Sequence, residues 1–303
     1  MNNQIVRNQN LKLLAKDLTK DYPRSPRETL AGYVIAARMR LVALRRLFVQ
    51  ILVGVALAPI VSARAPAAQF DQSHALFDKV LKSFVSDARV NYTALKAHPQ
   101  ELEGYLAQVA AVSESDFKGW SEKQQIALLI NSYNACTLRL ILDHYPLKSI
   151  KVIGSFFSGP WNQPVVHLFA ETTTLSAVEH KILRKDYSEP RIHFALVCAA
   201  KGCPPLRSEA YSANRLDEQL HDQAKQFLAT PNQNRVEASE RVVYLSPIFK
   251  WYAGDFEKKS GSVLAALQPY WSGKATSTDG FKIRYTDYDW TLNDQTHRVV
   301  TNH

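Results

Sequence analysis

A long helix with one broad core-facing side is predicted for Glu122–His144, around which the rest of the chain must pack. Ser121 and Gln124 fit a capping box, in which the serine hydroxyl accepts from the first turn and the glutamine side chain returns to the backbone of Ser121. Pro146 is expected to end the helix. The residues that share its core-facing side are Ile126, Ala127, Ile130, Tyr133, Thr137, Leu138, Leu140 and Ile141.

Two asparagines, Asn131 and Asn134, fall inside this apolar side of the helix. Asparagine is a poor helix former, and a buried amide is costly unless its donors and acceptors are paired. We favour the interpretation that the two amides hydrogen-bond to adjoining loops and fix them. The alternative is that they line a functional site.

Further helices are predicted from apolar residues at helical spacing. They cover 73–85, 102–112 and 216–228. A second capping box, formed by Ser176 and Glu179, is predicted to open a short helix on which His180 and Arg184 share a face.

Strands are predicted at 192–198, 241–245 and 281–285, and Ser246 with Pro247 is predicted to begin a helix. Because helices dominate the first half and strands mix in later, we predict an α+β fold with a mixed or antiparallel sheet. No internal repeat or low-complexity linker follows Ala68, so residues 69–303 are predicted to form a single domain.

The positive charge of the chain is concentrated near its N-terminus. The formal net charge is +9 over 303 residues, yet residues 1–68 hold 11 basic and 3 acidic side chains, whereas 69–303 hold 26 and 25. A body so close to neutral argues against a nucleic-acid partner. The sequence also lacks G-x-G-x-x-G, G-x-x-x-x-G-K-[ST] and G-x-S-x-G, which argues against a dinucleotide fold, a P-loop and a nucleophile elbow.

Residues 39–68 have the organisation of a secretory signal peptide. The basic segment MRLVALRR precedes an apolar run at 47–61, and small residues follow up to Ala68. We therefore expect the body to work in the periplasm or to be secreted, and residues 1–38 to be an extension that precedes the true start at Met39. The alternative is an uncleaved 47–61 segment that anchors the protein in the inner membrane, which is the only membrane contact we expect.

Six segments stand in an order that resembles the bacterial exported branch of the domain-of-unknown-function 547 family. They are INSYNA at 130–135, YPLKSI at 145–150, VEHKILR at 178–184, RIHFALVCAAKGCPPLR at 191–207, LSPIFKWYAGDF at 245–256 and YDWTLN at 288–293. The similarity covers about 70–293, and the family's bulky aromatic before Asn-x-Tyr-Asn is here replaced by Leu128-Leu129-Ile130. The resemblance implies a fold more than an activity. A central helix followed by a His-led strand is similar to papain- and transglutaminase-type folds, and glutaredoxin-like modules fused to related domains suggest thiol chemistry by association only.

Cys203 is the candidate nucleophile, because it follows Gly202 in a turn where a thiol can be exposed. Cys136 and Cys198 are interpreted as small core residues. A disulfide between Cys198 and Cys203 is an equally weighted alternative in an exported protein.

His193 and His180 are the candidate bases, and Asn131 or Asn134 could orient the imidazole, so that Asn131 joins Cys203 and the two histidines as a predicted catalytic residue. Lys201 or Arg207 could lower the pKa of the thiol. The residues predicted to bind substrate are Asn134, Glu179, Arg184, Arg207 and Trp251.

The aromatic residues Trp161, Trp251, Trp271 and Trp290, with Tyr252 and Tyr288, could wall a ligand pocket. His167, His180 and His193 lie in three separate segments without a metal-ligand spacing, and we predict neither a metal nor another cofactor. Two functions remain open. The first is a thiol-dependent hydrolase or transferase acting on an amide or peptide-like substrate, and the second is a non-catalytic periplasmic binding or scaffold domain whose polar groups are structural.

Overall fold

The computed structural model describes residues 69–155, 158–271 and 278–295. The predictions for 1–38, for the signal peptide at 39–68 and for its apolar run at 47–61 lie outside these residues. Within the described ranges, no helix has the length and hydropathy needed to cross a bilayer.

Helices make up most of the first half of the described chain and recur towards its end. They are α1 Ala75–Phe84, α2 Tyr92–Ala97, α3 Gln100–Ala110, α4 Glu114–Gly119, α5 Glu122–His144, α6 Leu175–Ala177, α7 Arg184–Asp186, α8 Ile192–Ala195, α9 Leu216–Leu228, α10 Ile248–Trp251, α11 Ala253–Ser260 and α12 Val263–Leu267. A π-helix, Val178–Leu183, joins α6 to α7. Single 3₁₀ turns are present at Ile150–Val152, Pro160–Asn162, Ala238–Glu240 and Gln268–Tyr270.

The strands are short. They are β1 Val85–Ser86, β2 Arg89–Val90, β3 Val166–Leu168, β4 Glu171–Thr173, β5 Arg235–Glu237, β6 Val242–Leu245 and β7 Lys282–Tyr285. β1–β2 and β3–β4 are antiparallel pairs, while β5, β6 and β7 form one sheet in which β6 pairs antiparallel with β5 and parallel with β7. The predicted α+β class, single domain and mixed sheet are therefore confirmed. The likeness to papain- and transglutaminase-type folds stays a prediction.

The predicted central helix is present as α5, with the bounds and the cap expected from the sequence. The backbone N–H of Gln124 donates to Ser121 Oγ at 3.4 Å, and the backbone N–H of Ser121 donates to Gln124 Oε1 at 2.9 Å. From Ile126 to Leu138 every side chain of α5 is buried, so this helix is enclosed on all sides and not on one face alone. Enclosure of this kind requires both asparagines of the helix to be paired inside the protein.

The strand predicted at 192–198 is wrong, because its first half forms the helical turn α8. The backbone N–H of Phe194 donates to Arg191 O at 3.0 Å and that of Leu196 to Ile192 O at 2.9 Å. A short apolar run is equally compatible with a buried strand and a buried helical turn, and here all its residues from 192 to 197 are buried. Its periodicity therefore could not decide between them.

The capping box predicted at Ser176 and Glu179 is also wrong. Thr174 caps α6, since its Oγ1 accepts from the backbone N–H of Ala177 at 3.1 Å. Glu179 therefore has no capping role and lies in the π-helix. The helix predicted to begin at Ser246 and Pro247 differs less from the structure: α10 begins at Ile248, with Pro247 as its N-cap residue.

Two groups of buried side chains form the core. The larger surrounds α5 and includes residues of α1 to α4, β3 and the π-helix. The smaller is rich in aromatic rings, with Phe194 from α8, Phe227 from α9, Phe249 from α10 and Phe256 from α11 in mutual contact. Residues of both groups line one cavity, described next.

Candidate functional site

A cavity of about 420 Å³ opens beside α5 and the π-helix. Its volume is in the usual range for a small-molecule site. The described residues that line it are Tyr133, Trp161, Asn162, Ser176, Glu179, His180, His193, Leu196, Cys198, Cys203, Ile248, Trp251, Tyr252, Tyr288 and Trp290. Aromatic rings, two thiols, two imidazoles and one carboxylate thus share a single enclosure.

Four rings form an aromatic wall, which we define as Trp161, Trp251, Tyr288 and Trp290. Trp290 lies 5.9 Å from Trp161, 6.0 Å from Trp251 and 4.5 Å from Tyr288 between ring centroids. Trp251 remains 49% exposed, so the wall reaches the protein surface. Trp271, which we also predicted around a pocket, packs instead against the smaller aromatic core.

The two thiols of the cavity are in contact with each other. Cys198 Sγ lies 3.0 Å from Cys203 Sγ, and the backbone N–H of Cys198 donates to Cys203 Sγ at 2.9 Å. The Tyr288 hydroxyl lies 3.1 Å from Cys198 Sγ. Both cysteines are free thiols in this structure, as is Cys136.

The surroundings of the thiols shift their pKa values in different directions. The hydrogen bond with Cys203 and then that with Tyr288 lower the pKa of Cys198, against the effect of burial. Burial raises the pKa of Cys203, and the neighbouring Cys198 raises it further. Cys136, inside α5, is shielded from the cavity, and burial raises its pKa to about 12. At neutral pH the sulfur best able to carry negative charge is therefore that of Cys198.

The loop that carries the two thiols is held against the segment around Tyr288. The backbone N–H of Gly202 donates to Asp289 O at 2.8 Å, and that of Lys201 donates to Thr291 O at 2.8 Å. A Cβ on Gly202 would stand 2.8 Å from the Asp289 nitrogen, so only glycine allows this approach. The contact brings the Tyr288 hydroxyl to Cys198, ninety residues away in the chain.

His193 faces the cavity and is oriented by Asp255. Its Nε2 lies 2.7 Å from Asp255 Oδ2, and the ring stacks on Tyr252 with centroids 3.8 Å apart. Burial lowers the pKa of His193, while hydrogen bonds from His193 and Arg184 lower the pKa of Asp255. A neutral imidazole that donates its Nε2 proton to an ionised Asp255 keeps Nδ1 as an acceptor, which is the tautomer that a general base requires.

Glu179 is the carboxylate of the cavity and is only 6% exposed. Its Oε2 accepts from the Tyr133 hydroxyl at 3.4 Å, and its Oε1 lies 3.9 Å from His193 Nδ1, beyond hydrogen-bond reach. The π-helix places this side chain, and π-turns are frequent at functional sites because they change the direction of side chains relative to an α-helix.

The remaining predicted residues of this region lie at its edge or away from it. His180 lines the cavity but is exposed, and its Nδ1 lies 2.9 Å from Arg184 Nη1. Arg184 is not a lining residue; it pairs with Asp255 through Nε at 2.6 Å and Nη2 at 3.0 Å. Arg207 is not brought to either thiol but forms ion pairs with Glu209 and Asp222, both at 2.6 Å. Arg207 therefore cannot act on the thiol pKa by direct contact.

Asn131 and Asn134 pair with loop backbone and do not reach an imidazole. Asn131 donates to Tyr211 O at 2.7 Å and accepts from the Tyr211 N–H at 3.0 Å. Asn134 donates to Ala195 O at 3.0 Å and accepts from the Val197 N–H at 3.0 Å. Among the described residues, Asn131 thus forms no hydrogen bond with a thiol or a histidine, whereas Asn134 fixes the residue that precedes Cys198.

No metal centre is evident in the described part of the chain, where no group of three or more His, Cys, Asp or Glu side chains could hold an ion. His167 lies on β3 and pairs with Thr172 Oγ1 at 2.9 Å. In the same residues, no hydrogen bond joins Cys198 or Cys203 to an imidazole. The site is therefore a thiol pair and a histidine–carboxylate pair on one cavity, and not a preformed cysteine–histidine dyad.

Sequence reasoning missed several residues of the cavity. Cys198 was interpreted as a core residue because it ends an apolar run, and Tyr133 was counted with the core side of α5. Tyr252 was expected to wall a pocket, but nothing local in the sequence indicated that Tyr252 and Asp255 meet His193. Their position depends on the packing of α11 against α8, which no motif encodes.

The fold and site together define an α+β domain with a cysteine-containing, aromatic-walled cavity. Residues 117–228 match the family model described as "Protein of unknown function, DUF547", which is the family that the sequence resembles. The match includes α5, the π-helix and both cavity thiols. The resemblance over about 70–293 extends beyond it on either side and stays a prediction there. No curated protein and no solved structure matches the chain.

Proposed function

We propose that the cavity is the active site of a thiol-dependent hydrolase or transferase that acts on an amide or peptide-like substrate, with Cys198 as the nucleophile. The observation that carries this proposal is geometric: on a ligand-sized cavity, Cys198 Sγ lies 3.0 Å from Cys203 Sγ and 3.1 Å from the Tyr288 hydroxyl, contacts that lower the pKa of Cys198. Cys203, the nucleophile expected from the sequence, is only 8% exposed and has a raised pKa. In the neutral pair Cys198 Sγ donates to Cys203 Sγ, and the role of Cys203 in the proposal is to donate to Cys198 once that thiol is ionised.

The proposed reaction combines the thiol pair with the histidine–carboxylate pair. Cys198 Sγ bonds to the substrate carbonyl carbon, and the proton that its thiol gives up passes to His193 Nδ1, directly or through one water. When the carbon–nitrogen bond breaks, His193 returns this proton to the leaving amine. Water or a second amine then attacks the thioester while His193 takes its proton, and the Cys198 thiol is released.

Each supporting group has a defined task in this scheme. Asp255 holds the imidazole at 2.7 Å and would stabilise the imidazolium that forms. Tyr288 and Cys203 stabilise the thiolate by hydrogen bonds, which are strengthened when the acceptor is charged. The sulfur and the imidazole are not hydrogen-bonded to each other in the substrate-free cavity, and catalytic contacts often tighten only when substrate is bound.

Cys198→Ser is expected to remove the fast phase of alkylation by iodoacetamide at neutral pH, because the one thiol with a lowered pKa is lost. Cys203→Ser should retain this phase, and Cys136→Ser is the matched control that should leave it unchanged. The measurement is the rate of adduct formation at each cysteine, followed by mass spectrometry between pH 6 and pH 10. Equal rates in wild type and Cys198→Ser would remove the basis for the proposed nucleophile.

With p-nitrophenyl acetate as the probe, we expect a burst of p-nitrophenolate equal to the amount of protein and an acetyl group on Cys198. His193→Gln should accumulate this acyl-enzyme, since the base that activates water is gone, with turnover lowered about 100-fold or more. The readouts are stopped-flow absorbance and peptide mass spectrometry. Acylation of Cys203 in place of Cys198, or identical turnover in His193→Gln, would contradict the assigned roles.

The second function left open by the sequence is a non-catalytic binding or scaffold domain. It is favoured by one observation, which is that no sulfur–imidazole hydrogen bond is present among the described residues. A protein that binds amide ligands in the cavity but gives no acyl-enzyme with the ester probe would establish this alternative.

We also propose that the protein is exported to the periplasm or secreted. The support is the order of basic, apolar and small residues in 39–68. N-terminal sequencing of the protein isolated from its native cell should begin near Ala68. A mature chain that retains 1–38 would contradict export from Met39, and retention of 47–61 alone would indicate the membrane-anchored form.

A further inference from the structure

The charge of the cavity wall is one-sided. Glu179 is a carboxylate among the lining residues, and no lysine or arginine is among those that the structure describes. The guanidinium of Arg184, which lies over the ring of the lining residue Tyr252, is already committed to Asp255 by two hydrogen bonds. An anionic ligand would meet Glu179 without a compensating cation, so the cavity selects against anions.

Glu179 has hydroxyl partners in Tyr133 and Tyr252 but no lysine or arginine partner among the described residues. Its side chain is more than nine-tenths buried, its bond from Tyr133 is long at 3.4 Å, and His193 Nδ1 stays 3.9 Å away. Within the described ranges, no Lys or Arg nitrogen lies within 4.0 Å of it. Removing a carboxylate from water without an ionic partner is costly, and a ligand that brings a cation would recover part of that cost.

The aromatic wall is suited to the same kind of ligand. Ring faces of tryptophan and tyrosine attract ammonium groups, because the ring quadrupole is negative above its plane. An ammonium already contacts this wall, since Lys151 Nζ lies 5.0 Å from the Trp290 ring centroid. Lys151 is not a lining residue, and Trp251 remains half exposed at the mouth of the cavity.

Resting on the proposed function, we infer that the substrate carries a protonated amine, which pairs with Glu179 beside the aromatic wall while its amide carbonyl is presented to Cys198. The substrate class is a lysine-like or other amino-substituted amide. Tyr133 lies between the two parts of the site, since it hydrogen-bonds to Glu179 and is within electrostatic range of Cys198.

The test is a binding measurement in a Cys198→Ser background, so that no turnover occurs. N-acetyl-lysine methylamide is compared by calorimetry at pH 7 with its neutral analogue N-acetyl-norleucine methylamide and with the anionic N-acetyl-glutamate methylamide. We expect the lysine ligand to bind about 10-fold more tightly than the neutral one and the anionic ligand to bind most weakly. Equal affinities, or a preference for the anionic ligand, would overturn the inference.

Glu179→Gln should abolish the preference while keeping the hydrogen bond from Tyr133. The matched control is Glu171→Gln, a glutamate that is exposed on β4 and should keep the wild-type preference. Trp251→Leu, at an exposed site of the wall, should weaken the lysine ligand more than the neutral one. A preference unchanged in both Glu179→Gln and Trp251→Leu would place the amine elsewhere.

The test of the amine preference can fail or succeed independently of the test of the proposed function. The ligand preference is read in a protein without the Cys198 thiol, whereas acylation by p-nitrophenyl acetate is read with a probe that has no amine. A retained preference without acylation would leave an amine-binding site that is not an enzyme. Acylation without the preference would leave a thiol enzyme with a different substrate class.

Discussion

Asn134→Ala is expected to lower the free energy of unfolding by about 3 kcal/mol, because two buried backbone groups lose their partners at once. The amide of Asn134 accepts from the Val197 N–H and donates to Ala195 O, both at 3.0 Å. Neither backbone group is paired in a β-sheet, because the segment is a helical turn followed by extended chain. The measurement is urea denaturation followed by circular dichroism.

The same substitution should also change the reactivity of the cavity. Val197 precedes Cys198, so releasing its N–H lets the thiol move away from Cys203 and Tyr288, and the apparent pKa of alkylation should rise. Asn131→Ala is the matched control: it also leaves two backbone groups unpaired, but at Tyr211, away from the thiols. We expect a similar loss of stability with an unchanged alkylation profile. Asn134→Ala within 1 kcal/mol of wild type, or the same alkylation change in both variants, would contradict this assignment.

The parts of the fold that the sequence predicts are those encoded locally. α5 follows from a capping box, an apolar face and a proline after its end, and all three lie within 26 consecutive residues of the sequence. α9 and β6 follow equally from periodicity. The turn α8 does not, because Asn134 supplies from another element the backbone partners that a neighbouring strand would have supplied. An element stabilised by a distant side chain cannot be recognised from its own residues.

The candidate site divides in the same way. His193, Cys203 and Trp251 could be proposed because histidine, tryptophan and cysteine are few in the chain and chemically distinctive. The choice of Cys198 over Cys203 depends first on the contact between the two thiols and then on Tyr288, whose hydroxyl reaches Cys198 only because Gly202 allows close packing against Asp289. The orientation of His193 depends on Asp255 in α11. Acidity and orientation are set by tertiary contacts, so sequence reasoning yields the types of group present but not which of them is activated.

His74 should make the stability of the domain strongly dependent on pH. Its ring is buried, Nδ1 lies 2.9 Å from the Tyr105 hydroxyl, and burial lowers its pKa to about 4 against a smaller opposing effect of Asp71. Between pH 6.5 and pH 4 the unfolded chain binds a proton at this histidine that the folded domain does not bind, so the free energy of unfolding falls as the pH falls. From pH 7 to pH 5 this group should cost about 2 kcal/mol.

The comparison that isolates this effect is His74→Asn, because asparagine tolerates the left-handed backbone of this position, where φ is 54°. The variant is expected to be less stable at pH 7, where the Tyr105 contact is lost, yet to lose about 2 kcal/mol less than wild type on acidification to pH 5. Burial also lowers the pKa of His193, so a dependence of the same sign should remain in the variant. His144→Asn, at an exposed position in α5, should keep the wild-type difference. Urea titrations at pH 5, 6 and 7 measure the free energy of unfolding of all three proteins. An unchanged pH difference in His74→Asn would show that His74 is protonated at pH 5 in the folded domain, as it is in the unfolded chain. Only a group whose proton binding differs between the two states can shift stability with pH.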